Sequence, residues 1–234
     1  SRREYTKINP FIVLLGKGEH QITTSWIDSE DEEEEFECIT NRLSITCSNI
    51  TFIGKGKAAF PVEGEDVTTI LGGFDIENKE NITFKQMTVT NTSQEGIGIC
   101  TTDAKVELFD VLFFECGHSG LRVQDSISEH TVVATRCEFS TNRHGAFVLG
   151  NLTSATFKNC LFHENEEDGI FVGGATVHLH GEATAIHSNE SYGILAMDSA
   201  RVLLHLPSHH NTFYNNEGGD RRTKRQATIT NVED

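Results

Sequence analysis

Two pairs of histidines recur at almost the same interval. His163 and His187 are 24 residues apart and His180 and His205 are 25 apart. Each follows an apolar residue, namely Phe162, Ile186, Leu179 and Leu204. Two imidazoles held side by side can share a zinc or copper ion when a third ligand joins them, and otherwise they change charge near pH 6.5. Neither a cysteine nor a carboxylate stands out as that third ligand, so no metal is assigned. The four histidines read as surface residues and as candidate binding groups.

Three carboxylates, Asp103, Asp110 and Asp125, lie near Arg122. Carboxylates that share a cation must lie together, but these three fall at different phases of the pattern described below. A basic cluster, Arg221, Arg222, Lys224 and Arg225, stands out in an acidic chain. Arg-rich clusters hold sulfate or carboxylate groups by charge-assisted hydrogen bonds, and an exposed end loop is the plainer reading. The Gly-Lys-Gly triplets at Gly16 and Gly54 lack the spacing of a phosphate-binding loop and read as turns.

What must position these groups is a repeat. Gly96-Ile97, Gly120-Leu121, Gly145-Ala146, Gly169-Ile170 and Gly193-Ile194 recur at steps of 24, 25, 24 and 24 residues. Upstream of each glycine, apolar residues two apart precede an Asn position: Met87-x-Val89-x-x-Thr92, Val111-x-Phe113-x-x-Cys116, Cys137-x-Phe139-x-x-Asn142, Cys160-x-Phe162-x-x-Asn165, Thr184-x-Ile186-x-x-Asn189 and Asn211-x-Phe213-x-x-Asn216. A third set pairs Ile82/Phe84 with Val106/Leu108, Val132/Ala134, Ala155/Phe157, Val177/Leu179 and Val202/Leu204. Period-two apolar residues mark strands with one buried face. One such unit buries almost nothing, whereas stacked units build a continuous core.

The expected fold is therefore all-β: a single right-handed parallel β-helix of about eight coils with ~24-residue repeats, roughly 40 Å long at one strand spacing per coil. Ile97, Leu121, Phe147, Ile170 and Ile194 are expected in register, the glycines at sharp corners, and the Asn residues in a hydrogen-bonded ladder broken at Thr92 and Cys116. One domain spans 1–234, with an N-terminal cap and acidic loop over 1–42, coils over 43–216, and a C-terminal loop and closing strand over 217–234.

Composition sets limits. With 35 acidic against 19 basic side chains the net charge is −16, which argues against nucleic acid as a partner. Part of the excess lies between Asp28 and Glu37. No apolar run is long enough to span a membrane as a helix, and the chain begins without a leader-like segment. Among six cysteines, Cys137 and Cys160 read as buried thiols, while Cys38 and Cys47 are the disulfide candidates. Asn-x-Ser/Thr triplets start at Asn49, Asn81, Asn91, Asn151 and Asn189.

The coil phrase resembles the right-handed β-helix proteins of the pectin-lyase-like superfold. Leu204 to Thr212 and Thr228 to Asp234 are similar to uncharacterised β-helix proteins of marine algae and the large viruses that infect them. The resemblance implies a fold over the whole chain and no particular activity, because this superfold serves lyases, hydrolases, epimerases and non-catalytic fibres. The polygalacturonase motifs are absent, and of the alginate-epimerase phrase Tyr-Gly-Phe-Asp-Pro-His only Tyr192-Gly193 is present. The expectation is a non-catalytic, cofactor-free rigid module that binds polysaccharide or a protein partner. The alternatives are a polyuronate lyase or epimerase and a virion or cell-surface component; the compartment is left open.

Overall fold

The protein, described here by a computed structural model, is defined over residues 4–22, 41–58, 66–124, 127, 130–205 and 212–232. The acidic stretch Asp28 to Glu37, Cys38, Asp125 and most of the segment from Lys55 to Asp66 lie outside these residues, as do 206–211. Every strand–strand ladder is parallel, and three strands per turn wind into a solenoid with three faces.

Face 1 is an eight-stranded sheet: Arg42–Ser44, Gly73–Glu77, Ile97–Thr102, Ser119–Val123, His144–Leu149, Ile170–Gly173, Tyr192–Met197 and Gly219–Thr223. Face 2 carries His130–Thr135, Thr153–Lys158, Thr176–His180, Arg201–His205 and Thr228–Asn231 at its C-terminal end. Face 3 carries Glu138–Ser140, Leu161–His163, Ala185–His187 and Phe213–Tyr214. Strands Ile82–Thr90 and Lys105–Phe114 bend at Gln86 and Asp110, both at positive φ, and so serve faces 2 and 3 in turn. About six turns, from Ile82 onward, are regular. The expected eight are reached only by adding two N-terminal rungs whose strands are separated by undescribed residues.

The core is the inward set that the period-two pattern selects. On face 3, Phe113, Phe139 and Phe162 are in register and stack at 4.9 and 4.6 Å with rings within 8° of parallel. On face 2 the pairs from Ile82/Phe84 to Val202/Leu204 align as expected and are buried. Cys137 and Cys160 join this core as free thiols, and burial pushes the Cys160 thiol up. Cys47 is exposed; its expected partner Cys38 is not among the described residues.

The Asn ladder forms at the corner between faces 3 and 1. Asn142 Nδ2 donates to Asn165 Oδ1 at 3.2 Å, Asn165 Nδ2 to Asn189 Oδ1 at 2.8 Å, and Asn189 Nδ2 to Asn216 Oδ1 at 2.8 Å. Each amide also donates to a backbone carbonyl, from Phe113, Phe139, Phe162 or Ile186. Cys116 takes the next position, its backbone N–H donating to Asn142 Oδ1 at 2.9 Å. One rung earlier the buried residue is Asn91, not Thr92.

Two details of the expected register are corrected. Leu121 pairs with Ile99, not Ile97, so the first corner glycine is Gly98. Leu121 pairs with Ala146 on its other side, and Phe147 points outward beside Phe171. The corner glycines Gly120, Gly145, Gly169 and Gly193 do not use positive φ; close approach excludes a side chain. A Cβ on Gly169 would lie 2.8 Å from the Gly193 carbonyl oxygen and 2.9 Å from Asn189 Nδ2.

Candidate functional site

Three groups of polar side chains emerge from this scaffold. On face 3, the alternation that buries Phe162 and Ile186 turns His163 and His187 outward, and parallel pairing adds Tyr214 on the next rung. Their rings form a column: His163 and His187 are 5.1 Å apart at 12°, and His187 and Tyr214 are 4.4 Å apart at 8°. His163 Nε2 lies 3.3 Å from Glu138 Oε1, and Lys57 Nζ lies 3.6 Å from the other Glu138 oxygen. The hydrogen bond to Glu138 raises the His163 pKa, and His163 with Lys57 lowers that of Glu138. Burial lowers the pKa of His187, helped by the neighbouring His163.

On face 2, His180 and His205 are in register and stack at 4.2 Å and 8°. His178, two residues before His180 and therefore on the same side of its strand, brings Nδ1 to 3.2 Å from His205 Nε2. This third imidazole was legible in the sequence, since His178 and His180 flank the inward Leu179.

The third group sits at the corner that opens face 1. His144 is buried, with Nε2 3.3 Å from Glu167 Oε2 and Nδ1 3.8 Å from Asp168 Oδ2. Its Nδ1 has no hydrogen-bond partner. Burial drives the His144 pKa down to about 4, with Glu167 opposing and His118 and Arg143 reinforcing. Burial raises the carboxyl of Asp168, although the Tyr192 N–H donates to it at 3.1 Å. Glu167 is also paired with Arg143 at 2.7 Å. The single-residue column of His144, Asp168 and Tyr192 preceding the corner glycines was present in the repeat, but residue types so different do not announce themselves as one column.

The sequence of the right handed beta helix region matches residues 39–183 and, in a second overlapping alignment, 72–232. The chain belongs to the right-handed β-helix family. Among curated proteins no significant match is found. Among solved structures this β-helix is similar to the A-module of a mannuronan C-5 epimerase of Azotobacter vinelandii, at 12% identity and a TM-score of 0.34, with 97% of this chain and 92% of that chain covered.

Among the described residues the remaining expected groups do not converge in the β-helix. Asp110 is held by Arg136 through two hydrogen bonds of 2.8 and 2.7 Å, which lower its pKa. Arg122 lies elsewhere, on face 1 over the ring of Phe147, and Asp103 stands at the corner between faces 1 and 2. The basic cluster is only in part a loop: Arg221 and Arg222 lie on Gly219–Thr223, a strand of face 1, whereas Lys224 and Arg225 lie in the turn after it. Arg221 occupies the inward register next to Ile194 and lays its guanidinium 4.4 Å from the Phe213 ring centre, and burial lowers its pKa. Arg225 pairs with Asp198 at 3.1 Å. Arg222 is in register with Leu195, and the Lys224 backbone N–H donates to Ala196. Of the glycosylation triplets, Asn91 and Asn189 are buried, whereas Asn151 is exposed. No helix among the described residues is long and apolar enough to cross a membrane.

Proposed function

We propose that the protein is a rigid, non-catalytic β-helix module that binds an extended polysaccharide along the rod axis, with the ring column of face 3 as its contact surface. The observation that carries this reading is the stack His163, His187 and Tyr214. Three successive rungs present hydrogen-bonding ring edges in one straight line, flanked by Glu138 and Lys57. Sugar hydroxyls accept from and donate to such groups, and a rung spacing of about 4.8 Å is comparable to one sugar residue of an extended chain. Parallel strands hold the rings in place beforehand, so little ordering entropy is lost on binding. A surface setting, on a cell or a virion, suits such a module.

Affinity electrophoresis in gels cast with neutral glucans, pectate, alginate or sulfated galactans tests the reading. Retardation by at least one polymer is expected, and the His187→Ala/Tyr214→Ala double variant should abolish it. Free migration in every gel, or retardation that survives the double variant, would reject the proposal.

A second reading, a polyuronate lyase or epimerase, is favoured by one observation: the buried, neutral His144 between two carboxyl groups. Removing a proton next to a uronate carboxylate calls for a base and a nearby cation, and Arg143 is the cation at hand, although it is already paired with Glu167. Ultraviolet absorbance of unsaturated product, and NMR of uronate composition for epimerisation, discriminate the two. Turnover lost in His144→Gln would replace the binding reading.

A further inference from the structure

Face 2 holds an arrangement that polymer binding does not require. His178 and His180 leave the same side of strand Thr176–His180 because the residue between them, Leu179, is fully buried. Parallel pairing then sets His205 in register with His180 on the next rung. One ring nitrogen from each of the three lies within 4.8 Å of the other two. We propose that His178, His180 and His205 bind a first-row divalent ion that favours imidazole nitrogen, zinc being the probe of choice.

The distances carry the argument. Nitrogens bound to tetrahedral zinc at about 2.0–2.1 Å stand roughly 3.3 Å from each other, and His178 Nδ1 and His205 Nε2 are 3.2 Å apart. Without an ion, that separation is a hydrogen bond between the two rings, one nitrogen donating and the other accepting. With an ion, the ring that donated carries its proton on its other nitrogen instead, and both facing nitrogens offer lone pairs to the same metal. The His180 ring lies parallel to His205 at 4.2 Å, so its lone pair must swing toward the ion by side-chain rotation, which its half-exposed position permits.

Burial, with His205 and Arg201 adding to it, lowers the pKa of His178. Two groups oppose a dication. Arg201 is near enough to act on His178, and Lys158 is the in-register neighbour of His180. Both side chains are long enough to withdraw into solvent. Three imidazoles leave the fourth position of the ion to water, the pattern of an open rather than a closed zinc site. The corner group of His144, Glu167 and Asp168 differs: its carboxylates are engaged by Arg143 and by the Tyr192 amide.

Isothermal titration of the untagged protein with zinc chloride at about pH 7.5 should give saturable binding of one ion per chain. His178→Ala and His205→Ala should each weaken it at least ~10-fold. The His209→Ala/His210→Ala variant should bind as the wild type does. In the wild-type protein, zinc should shift the ring-nitrogen resonances of three histidines together, a readout independent of whether any variant folds. Absence of one-to-one binding, binding unaltered by His178→Ala in a protein of unchanged circular dichroism, or loss confined to the His209/His210 variant would each overturn the proposal.

Discussion

His144 shows how a single side chain can be placed against its own chemistry. An imidazole with a pKa near 6.5 sits in a corner where burial holds it at about 4. Above pH 6.5 it is neutral in both the folded and unfolded chain and contributes no pH dependence. As the pH falls from 6.5 toward 4, the unfolded chain takes up a proton that the folded chain refuses, so stability is lost over that window. His118, whose pKa burial also lowers, acts in the same direction. His163 acts oppositely: its raised pKa adds stability below 6.5 that disappears as the pH climbs through its folded value. The contribution of His144 is therefore read as a difference. Between about pH 7 and pH 4.5, wild type should lose about 2 kcal/mol more unfolding free energy than His144→Gln, measured by urea denaturation at each pH. Parallel profiles for the two proteins would show that burial does not shift this residue. The same scale explains what was legible in the sequence. His163, His187, His180 and His205 could be paired because each follows an inward apolar residue one period apart. His144 and Asp168 could not, since their meeting depends on which residue precedes a corner glycine and on the depth of that corner.

At the scale of the strand and its corner, the repeat was readable because each rung obeys the same two constraints, an alternating inward set and a corner with no room for a side chain. The phase of the first rung was not readable. Gly96 and Gly98 are two residues apart, and either continues the glycine beat; only pairing with Gly120, through Leu121 opposite Ile99, selects Gly98. Phe147 misled for a similar reason, as a large apolar residue next to a small inward Ala146 attracts the inward assignment. It faces out, stacked on Phe171 at 4.4 Å. The corner argument can be tested by substitution. In Gly169→Ala the new methyl would meet the Gly193 carbonyl oxygen at 2.8 Å, Ile186 Cγ2 at 2.8 Å and Asn189 Nδ2 at 2.9 Å. Two of these belong to rigid partners, the backbone and the Asn ladder, so a loss of about 1–3 kcal/mol is expected. Gly16→Ala, where nothing lies within 4 Å, is the matched control and should change stability by less than about 0.5 kcal/mol. Equal melting temperatures for the two variants would mean that the corner relaxes.

Taken whole, a parallel solenoid has a problem that globular sheets avoid: each terminal rung offers unpaired backbone groups to any passing strand. The last described rung of face 1 is charged. The last strand of face 1, Gly219–Thr223, is exposed along almost its full length and carries Asp220, Arg221 and Arg222. Arg221 stands where the inward column would continue beyond Ile194, and instead of another aliphatic side chain it spreads its guanidinium over Phe213. The guanidinium is already partly covered by that ring, and a second chain docking there would have to bury the charge completely. Of the basic residues that the sequence offers as candidate binding groups, Arg221 and Arg222 thus lie on the last described strand of face 1. Replacing both charges, in Arg221→Ile/Arg222→Val, removes that penalty and puts an aliphatic side chain in register with Ile194. That variant should associate more than wild type at equal concentration, end against end, with scattering mass rising as the solution is concentrated. Added salt should not dissolve the assemblies, because apolar contact and strand pairing rather than ion pairs would hold them. Light scattering over a dilution series decides the matter: a variant no more associated than wild type would return the basic strand to the role of an anion-binding surface.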